Sequence, residues 1–380
     1  MKKYKILHIM DSFGLGGAQE VVLNIIKFIN KDLFSIEVGG LHGRGAYFKK
    51  IAQLGIPVYS FSPNKLIPVY IPNLIYHLIK NKYDLVHCHL IGSNLIAKPL
   101  STLCKIPAIV NHDHCNDIYR YKQKYRLIAD KLMNKFSSHI IAVSTSTKDF
   151  LVKYEKIPQD KISVILNGID TERFFPQPEK KIEARKKWDL PEDKIIIAGV
   201  GRLYYQKNFH LFLHIAGEVL KINKNVHFVI AGDGPDMNDL KRLAEVLGIS
   251  KYISFLGYVD DITTLYPAVD IFLLTSRFEG TPMTVLEAMA CKIPVLAPAI
   301  DGITEIICDK KSGMLAKPED ENDFVKRLLE LINNSELRES LALESYKVVR
   351  ENFSGSAFIK EVERVYFKVL KIHSYIKPKL

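Results

Sequence analysis

Apolar runs of strand length alternate with helical patterns through nearly the whole of this 380-residue chain. Seven come first: Lys5–Met10, Ser35–Leu41, Val58–Phe61, Leu85–His89, Ala108–Asn111, His139–Val143 and Ile162–Leu166. Five more follow a break: Ile195–Gly199, Val226–Ala231, Ile253–Phe255, Ile271–Leu274 and Pro294–Ala297. Short apolar runs divided by helical segments are the βαβ pattern of parallel, doubly wound α/β sheets. The break, Asp170–Asp193, holds three prolines and dense charge, which places a linker at 171–190. A single core stops growing beyond ~250–300 residues, so two Rossmann-like domains are expected, residues 1–170 and 191–355. Residues 356–380 add an amphipathic helix, with Phe358, Val362, Val365, Tyr366 and Val369 on one face. Ligands of such sheets bind at the carboxyl ends of the strands, so two facing sheets make one cleft.

The segment Ser276–Ala297, SRFEGTPMTVLEAMACKIPVLA, carries the strongest chemical signal. Gly280 breaks the preceding strand, Thr281 is placed at a helix N-cap and Pro282 at the first helical position. Met283, Val285, Leu286, Met289 and Ala290 leave almost no polar face, so this helix is buried. A carboxylate on it, Glu287, is costly unless paired or hydrogen-bonded. Its partner is either protein, Arg277 or a backbone amide, or a ligand with hydroxyl donors such as a ribose diol. The helix N-terminus at Thr281–Met283 is an anion site. Diol and anion together suggest a nucleoside diphosphate.

Two glycine turns open helices after strands. Phe13–Gln19 contains Gly14, Gly16 and Gly17 but lacks the third glycine of a dinucleotide fingerprint, Gln19 standing in its place. Gly199–Asn208 carries Arg202 and Lys207, two cations beside a helix N-terminus that can clamp a diphosphate.

The Glu-x7-Glu stretch FEGTPMTVLEAMA resembles the signature of the family 4 retaining glycosyltransferases, which have the two-domain GT-B fold. Gly201-Arg202 with Lys207, Gly232-Asp233-Gly234, Phe255–Tyr258 and Asp301–Glu305 fall in that family's order, so the resemblance covers nearly the whole chain. Asn208 replaces a frequent glycine, and Asp301 and Thr304 depart from the family's Gly-Gly-x-Pro-Glu. The resemblance implies that Gly16 and Gly17 approach the donor and that Gly257 lies by the nucleobase. Glu279 would hold the donor sugar with Gly280, Thr281, Pro282 and Met283, Glu287 the ribose, and Arg202 and Lys207 the diphosphate. His112 would line the active site, and the last helix would cross back onto the N-terminal domain. Catalysis would proceed with retention and no metal cofactor, a nucleotide-sugar, by expectation a UDP-sugar, being the co-substrate.

Histidines cluster at His87-Cys88-His89 and His112-Asp113-His114-Cys115. Metal binding is one reading of them and cleft-lining or core roles the other; the chain has no D-x-D, and no metal site is assigned. Five cysteines without a C-x-x-C pair fit a reducing compartment. No run reaches the ~18 apolar residues of a transmembrane helix, and the N-terminus reads as a strand without a signal peptide.

Residues 1–175 hold 24 Lys+Arg against 13 Asp+Glu, whereas residues 176–380 hold 29 of each. The basic half is expected to meet an anionic surface or acceptor; no nucleic-acid-binding motif is present. The candidate surface is Ile118–Phe136, with Ile118, Tyr121, Tyr125, Ile128, Leu132 and Phe136 as one stripe and Arg120, Lys122, Lys124, Arg126, Lys131 and Lys135 facing elsewhere; the alternative is that the stripe packs on the first sheet. The expected protein is a cytoplasmic glycosyltransferase, peripheral on the inner face of the membrane, acting on a lipid-linked or saccharide acceptor in polysaccharide or glycolipid synthesis. A nucleotide-sugar epimerase and a non-catalytic sugar- or polyanion-binding protein are the alternatives.

Overall fold

The computed structural model describes residues 3–62, 67–114 and 124–371. The chain forms two compact units, Met1–Gly168 with Gly355–Leu380, and Ile169–Ser354.

The first unit runs β1 (Tyr4–Ser12), α1 (Gly17–Phe28), β2 (Phe34–His42), α2 (Ala46–Ala52), β3 (Val58–Ser60), α3 (Ile67–Asn81), β4 (Leu85–His89), α4 (Ile91–Leu103), β5 (Ala108–Asp113), α5 (Lys124–Met133), β6 (His139–Ala142), α6 (Thr145–Lys153) and β7 (Ile162–Val164). Its sheet is parallel, in the order β3-β2-β1-β4-β5-β6-β7. Leu7, Ile9, Val86 and Cys88 meet Leu74, Leu78 and Ala97 in one buried cluster, the side-chain alternation of the strands deciding which residues enter it.

The second unit runs α7 (Lys181–Lys187), β8 (Ile195–Val200), α8 (Phe209–Ile222), β9 (Val226–Ala231), α9 (Met237–Val246), β10 (Ile253–Gly257), β11 (Ile271–Leu273), α10 (Met283–Ala290), β12 (Val295–Pro298), β13 (Met314–Ala316), α11 (Glu321–Asn333) and α12 (Ser335–Asn352). Its parallel sheet has the order β10-β9-β8-β11-β12-β13. Phe212, Phe228, Leu273, Phe324 and Leu328 lie in its core. Both sheets turn back beside their first strand, β1 against β4 and β8 against β11, the crevice where doubly wound sheets take ligands.

The last helix, α13 (Gly355–Leu370), belongs to the first unit. Tyr366 packs edge-on against Phe34 at 5.7 Å, and the amide of Asn30 donates to Glu363 Oε1 at 2.7 Å. A side chain at Gly355 would run into the Phe28 ring, its Cβ 2.2 Å from Cε2, so glycine lets the helix start against α1.

The expected linker at 171–190 is instead part of the second unit. The buried Arg185 on α7 donates to Asp270 Oδ2 at 2.6 Å, Lys181 pairs with Asp270 Oδ1 at 2.6 Å, and the Trp188 indole donates to the Thr264 carbonyl. Lys181 and Arg185 are thus ion-pair partners within a folded unit rather than charges of a solvated spacer. The chain changes unit at Gly168/Ile169 and again at Ser354/Gly355, where Ile169 and Ser354 form a parallel bridge. The strand β13 was not anticipated: three residues beside Gly313 are too short a run to stand out.

Candidate active site

The loops after β8 and β11 meet at the reversal point of the second sheet. Lys207 Nζ lies 2.6 Å from Glu279 Oε1, and the Ser276 hydroxyl donates to the same oxygen at 2.6 Å. Both bonds fall on Oε1, although Glu279 is only 6% exposed. The loops are stitched together elsewhere: the Arg277 amide donates to the Gln206 carbonyl, Gln206 Nε2 to the Phe278 carbonyl, and the Thr275 hydroxyl to the carbonyls of Lys207 and Asn208. Asn208 stands at φ 50°, ψ 48° as the α8 N-cap. Asparagine is among the non-glycine residues that best tolerate this left-handed conformation, which accounts for its replacing glycine. Arg202 is exposed and stacks over the Tyr204 ring at 5.5 Å.

Helix α10 follows directly. Its N-cap is Pro282, one residue later than expected, and the Pro282 carbonyl takes the amides of Val285 and Leu286. The Met283 and Thr284 amides begin the helix with no carbonyl a turn earlier to receive them. Every residue of α10 except Thr284 is buried, including Glu287 at 7% exposure. The Tyr266 hydroxyl donates to Glu287 Oε2 at 2.6 Å. Burial first, and then the Glu287 charge, push the Tyr266 phenol well above its usual range, so it stays a donor. Arg277, the protein partner considered from sequence, instead binds Glu319 at 2.9 Å and the Tyr205 carbonyl, stacking on the Tyr205 ring.

Two glycines let backbones touch around this site. A Cβ on Gly302 (φ 79°) would sit 1.6 Å from the Gly280 carbonyl oxygen, and one on Gly232 (φ 147°) 1.9 Å from that of Gly201. The departures at Asp301 and Thr304 are both exposed and flank the required glycine. Gly257 ends β10, followed by the exposed Tyr258.

In the first unit, Gly16 is the α1 N-cap and Gly17 its first residue; Gln19 folds back so that its Nε2 donates to the Ser12 carbonyl. His112 lies on β5 with no exposed surface. Register sets His8 opposite His87 and His89 opposite His112, and His114 continues the same alternation, producing five neighbouring imidazoles. His8 Nδ1 and His89 Nε2 share a hydrogen bond of 3.0 Å, His89 Nδ1 and His114 Nε2 another of 3.0 Å, and Tyr366 Oη and His87 Nδ1 one of 2.7 Å. Desolvation lowers all five, His114 to about 4. The sequence reading singled out two of these strands but missed His8 and Tyr366; strand register was the signal that could have joined them.

Ile118, Arg120, Tyr121 and Lys122 fall outside the described residues. From Lys124 on, α5 does not pack its apolar stripe on the sheet. Tyr125 is 75% and Ile128 58% exposed, and Leu132 and Phe136 are exposed too. Lys131 and Lys135 share this outer side, whereas Arg126 is half-buried, so the expected separation of basic and apolar faces does not hold. The inner side carries polar groups beside the half-buried Leu127 and Met133. Buried Lys98 donates to Asn134 Oδ1 at 2.6 Å, and Asn134 Nδ2 to Glu155. Burial lowers Lys98 to about 8 against the pull of Asp113, Glu155 and Asp130.

Two Rossmann-type units in one chain, with a lysine–carboxylate pair and a helix N-terminus at the strand ends of the second, define a protein of the GT-B class. Residues 180–348 match the glycosyl transferases group 1 and residues 15–173 match Glycosyltransferase Family 4. An uncharacterised glycosyltransferase of Methanocaldococcus jannaschii is 30% identical over 75% of both chains. The UDP-Gal:alpha-D-GlcNAc-diphosphoundecaprenol alpha-1,3-galactosyltransferase of Escherichia coli is 26% identical over 96% of both. The HepE protein of Anabaena in complex with UDP-glucose superimposes with a TM-score of 0.86, over 96% of this chain and 99% of that one, at 21% identity. The chain belongs to the family 4 glycosyltransferases.

Proposed function

We propose that this glycosyltransferase moves a sugar from a UDP-sugar, with retention at C1 and without a catalytic metal, to a lipid-linked acceptor at a membrane surface. The observation that carries the reading is the Lys207–Glu279 pair beside the first amides of α10. Breaking the C1–O bond of a nucleotide-sugar leaves a diphosphate whose charge must be stabilised. Lys207, Arg202 and the Met283 and Thr284 amides supply fixed positive charge for it, the part a divalent ion plays in other sites. Arriving diphosphate draws Lys207 towards phosphate oxygens and leaves Glu279 to accept hydroxyls of the donor sugar. Glu287, oriented by Tyr266, receives the ribose diol, and the loop at Gly257 receives the base.

Support for the donor and acceptor comes from relatives. The name of the Escherichia coli enzyme specifies UDP-Gal and a diphosphoundecaprenol-linked sugar. A further relative is an alpha-monoglucosyldiacylglycerol synthase of Streptococcus pneumoniae, 30% identical over 72% of this chain and 63% of its own length. No helix among the described residues is long and apolar enough to cross a membrane, so a lipid acceptor calls for surface contact, for which α5 is the candidate.

The test is incubation with UDP-sugars and lipid-phosphate acceptors, following UDP release and glycolipid formation. A new glycolipid with the donor's anomeric configuration is expected. An epimerised donor without glycolipid, or UDP-sugar binding without turnover, would overturn the reading in favour of an epimerase or a binding protein.

A further inference from the structure

We propose that His89, His112 and His114 form a binding site for a zinc-class transition-metal ion within the first unit, so that His112, which the family resemblance implies lines the active site, acts there as a metal ligand. One ligand atom from each of the three lies within 4.8 Å of the other two. Zinc–imidazole bonds of ~2.0–2.1 Å place the nitrogens of a tetrahedral site ~3.3 Å apart. His89 Nδ1 and His114 Nε2 are already 3.0 Å apart, so small side-chain rotations suffice for a metal to replace their shared hydrogen bond.

Hydrogen bonding alone does not account for the cluster. Both ring nitrogens of His112, and Nδ1 of His114, are buried with no hydrogen-bond partner among the described residues. A buried polar atom left unpaired is destabilising, and a core needing only bulk at these positions is better served by apolar side chains. A bound cation uses one of the unpaired nitrogens of His112. The surroundings suit it. His89 Nε2 is held by His8 Nδ1, and His8 Nε2 faces the Tyr366 hydroxyl at 3.4 Å, the outer-shell support that orients ligating imidazoles. The Asp113 carboxylate acts electrostatically on His114 and offsets positive charge. His114, the half-buried member, is the end from which an ion enters. Three imidazoles favour zinc, copper, nickel or iron over magnesium, calcium or manganese, which prefer oxygen. The expected role is a brace tying β4, β5 and the residue after β5.

The experiment uses the full chain carrying His210→Ala and His214→Ala. Those two exposed histidines are one turn apart on α8 and form a competing surface chelate. The chelator-treated, folded protein is titrated with Zn²⁺ by calorimetry and with Co²⁺ by visible absorption. One equivalent is expected to bind, with the intense ligand-field bands of a low-symmetry cobalt site and a raised melting temperature. In that background, His114→Ala and, separately, His112→Phe should each weaken zinc binding by more than the ~10–100-fold typical of second-shell changes. His112→Phe replaces the unpaired nitrogens with a ring of similar size, so its metal-free fold should persist by circular dichroism; should it not, His114→Ala at the half-buried end decides. Absence of zinc binding to the folded parent, or undiminished affinity in His114→Ala, overturns the site. UDP affinity measured on the same samples is expected to be independent of zinc, so failure of this proposal and failure of the transferase reading are separately visible.

Discussion

Lys207 Nζ and Glu279 Oε1, 72 residues apart in sequence, are held 2.6 Å apart between the loops that follow β8 and β11. Sequence reasoning gave the two groups different ligands, phosphate for one and sugar hydroxyls for the other. Their pairing means that each offsets the other's desolvation in a nearly closed site. Under the proposed function, donor binding would exchange one ion pair for another rather than expose a bare charge. Lys207→Ala should lower kcat by ~10²–10³, the usual loss for one preorganised electrostatic group. Glu279→Gln should also impair transfer, and the double variant should lose less than the product of the two. Rates multiplying independently in steady-state assays would count against a shared role.

Tyr266 and Glu287 allow the nucleotide contact to be separated from packing. Glu287→Ala should weaken UDP binding by roughly 1.5–3 kcal/mol, the range for hydrogen bonds to a charged group. Tyr266→Phe keeps the ring and removes one donor to the carboxylate. It should lower stability in denaturant titrations while affecting UDP affinity less than Glu287→Ala does. Unchanged UDP affinity by calorimetry in a folded Glu287→Ala protein would remove Glu287 from the ribose site.

The proposed metal independence of the transfer step rests on the same cations. Activity should persist in EDTA and gain nothing from added manganese. If a chelator does lower activity, zinc should restore it through the brace proposed above; restoration by manganese alone would place a catalytic ion at the diphosphate, and the Arg202–Lys207 mechanism would fail.

One histidine in each unit reports on acid stability. His139 on β6 hydrogen-bonds Ser163, and His227 on β9 hydrogen-bonds Ser254, each at 2.8 Å. Burial, followed by Lys368 for His139 and by Lys194 for His227, lowers both to about 4. The unfolded chain binds these protons near pH 6.5 and the folded chain only near 4. Between those values the unfolded state holds more protons, so stability falls as pH drops through this window. Denaturant midpoints at a series of pH values should show that decline, with a shallower slope in His227→Gln. An unaltered slope in that variant would mean that His227 titrates normally.

The parallel doubly wound sheets were legible because twelve of the thirteen strands are apolar runs set between helical patterns. The unit boundary was not, because the 171–190 stretch has a linker's composition, while its charges find partners such as Asp270 from a distant strand. Within the candidate site, Arg202, Lys207, Glu279 and Glu287 were singled out by motif and family resemblance, and the structure pairs Lys207 with Glu279. Tyr266, Ser276 and Gln206 were not singled out, since a hydroxyl or amide acquires its role only through tertiary contact. Glu287 shows the division clearly: burial of a carboxylate could be deduced from the apolar helix around it, but the phenol that satisfies it lies on a short turn in no motif.

The outer side of α5 leads to the final prediction. A helix ordinarily buries its apolar face, yet here the most buried positions are Asp130 and, just after the helix, Asn134, near the Lys98 ammonium. Tyr125, Ile128 and Leu132 are consequently left in solvent beside Lys131 and Lys135. Burying these side chains in the interfacial region of a bilayer is favourable, and each lysine near an anionic surface adds ~1 kcal/mol. Co-sedimentation with liposomes should therefore require anionic lipid and weaken as salt rises. Replacing Tyr125, Ile128 and Leu132 by Ser should reduce binding at every salt concentration, whereas Lys131→Ser with Lys135→Ser should chiefly reduce its salt dependence. Because the apolar residues are exposed, the variants should keep their fold, which melting curves will verify. Binding that is equal on neutral vesicles, or unaffected by the three Ser substitutions, would assign α5 no part in membrane contact.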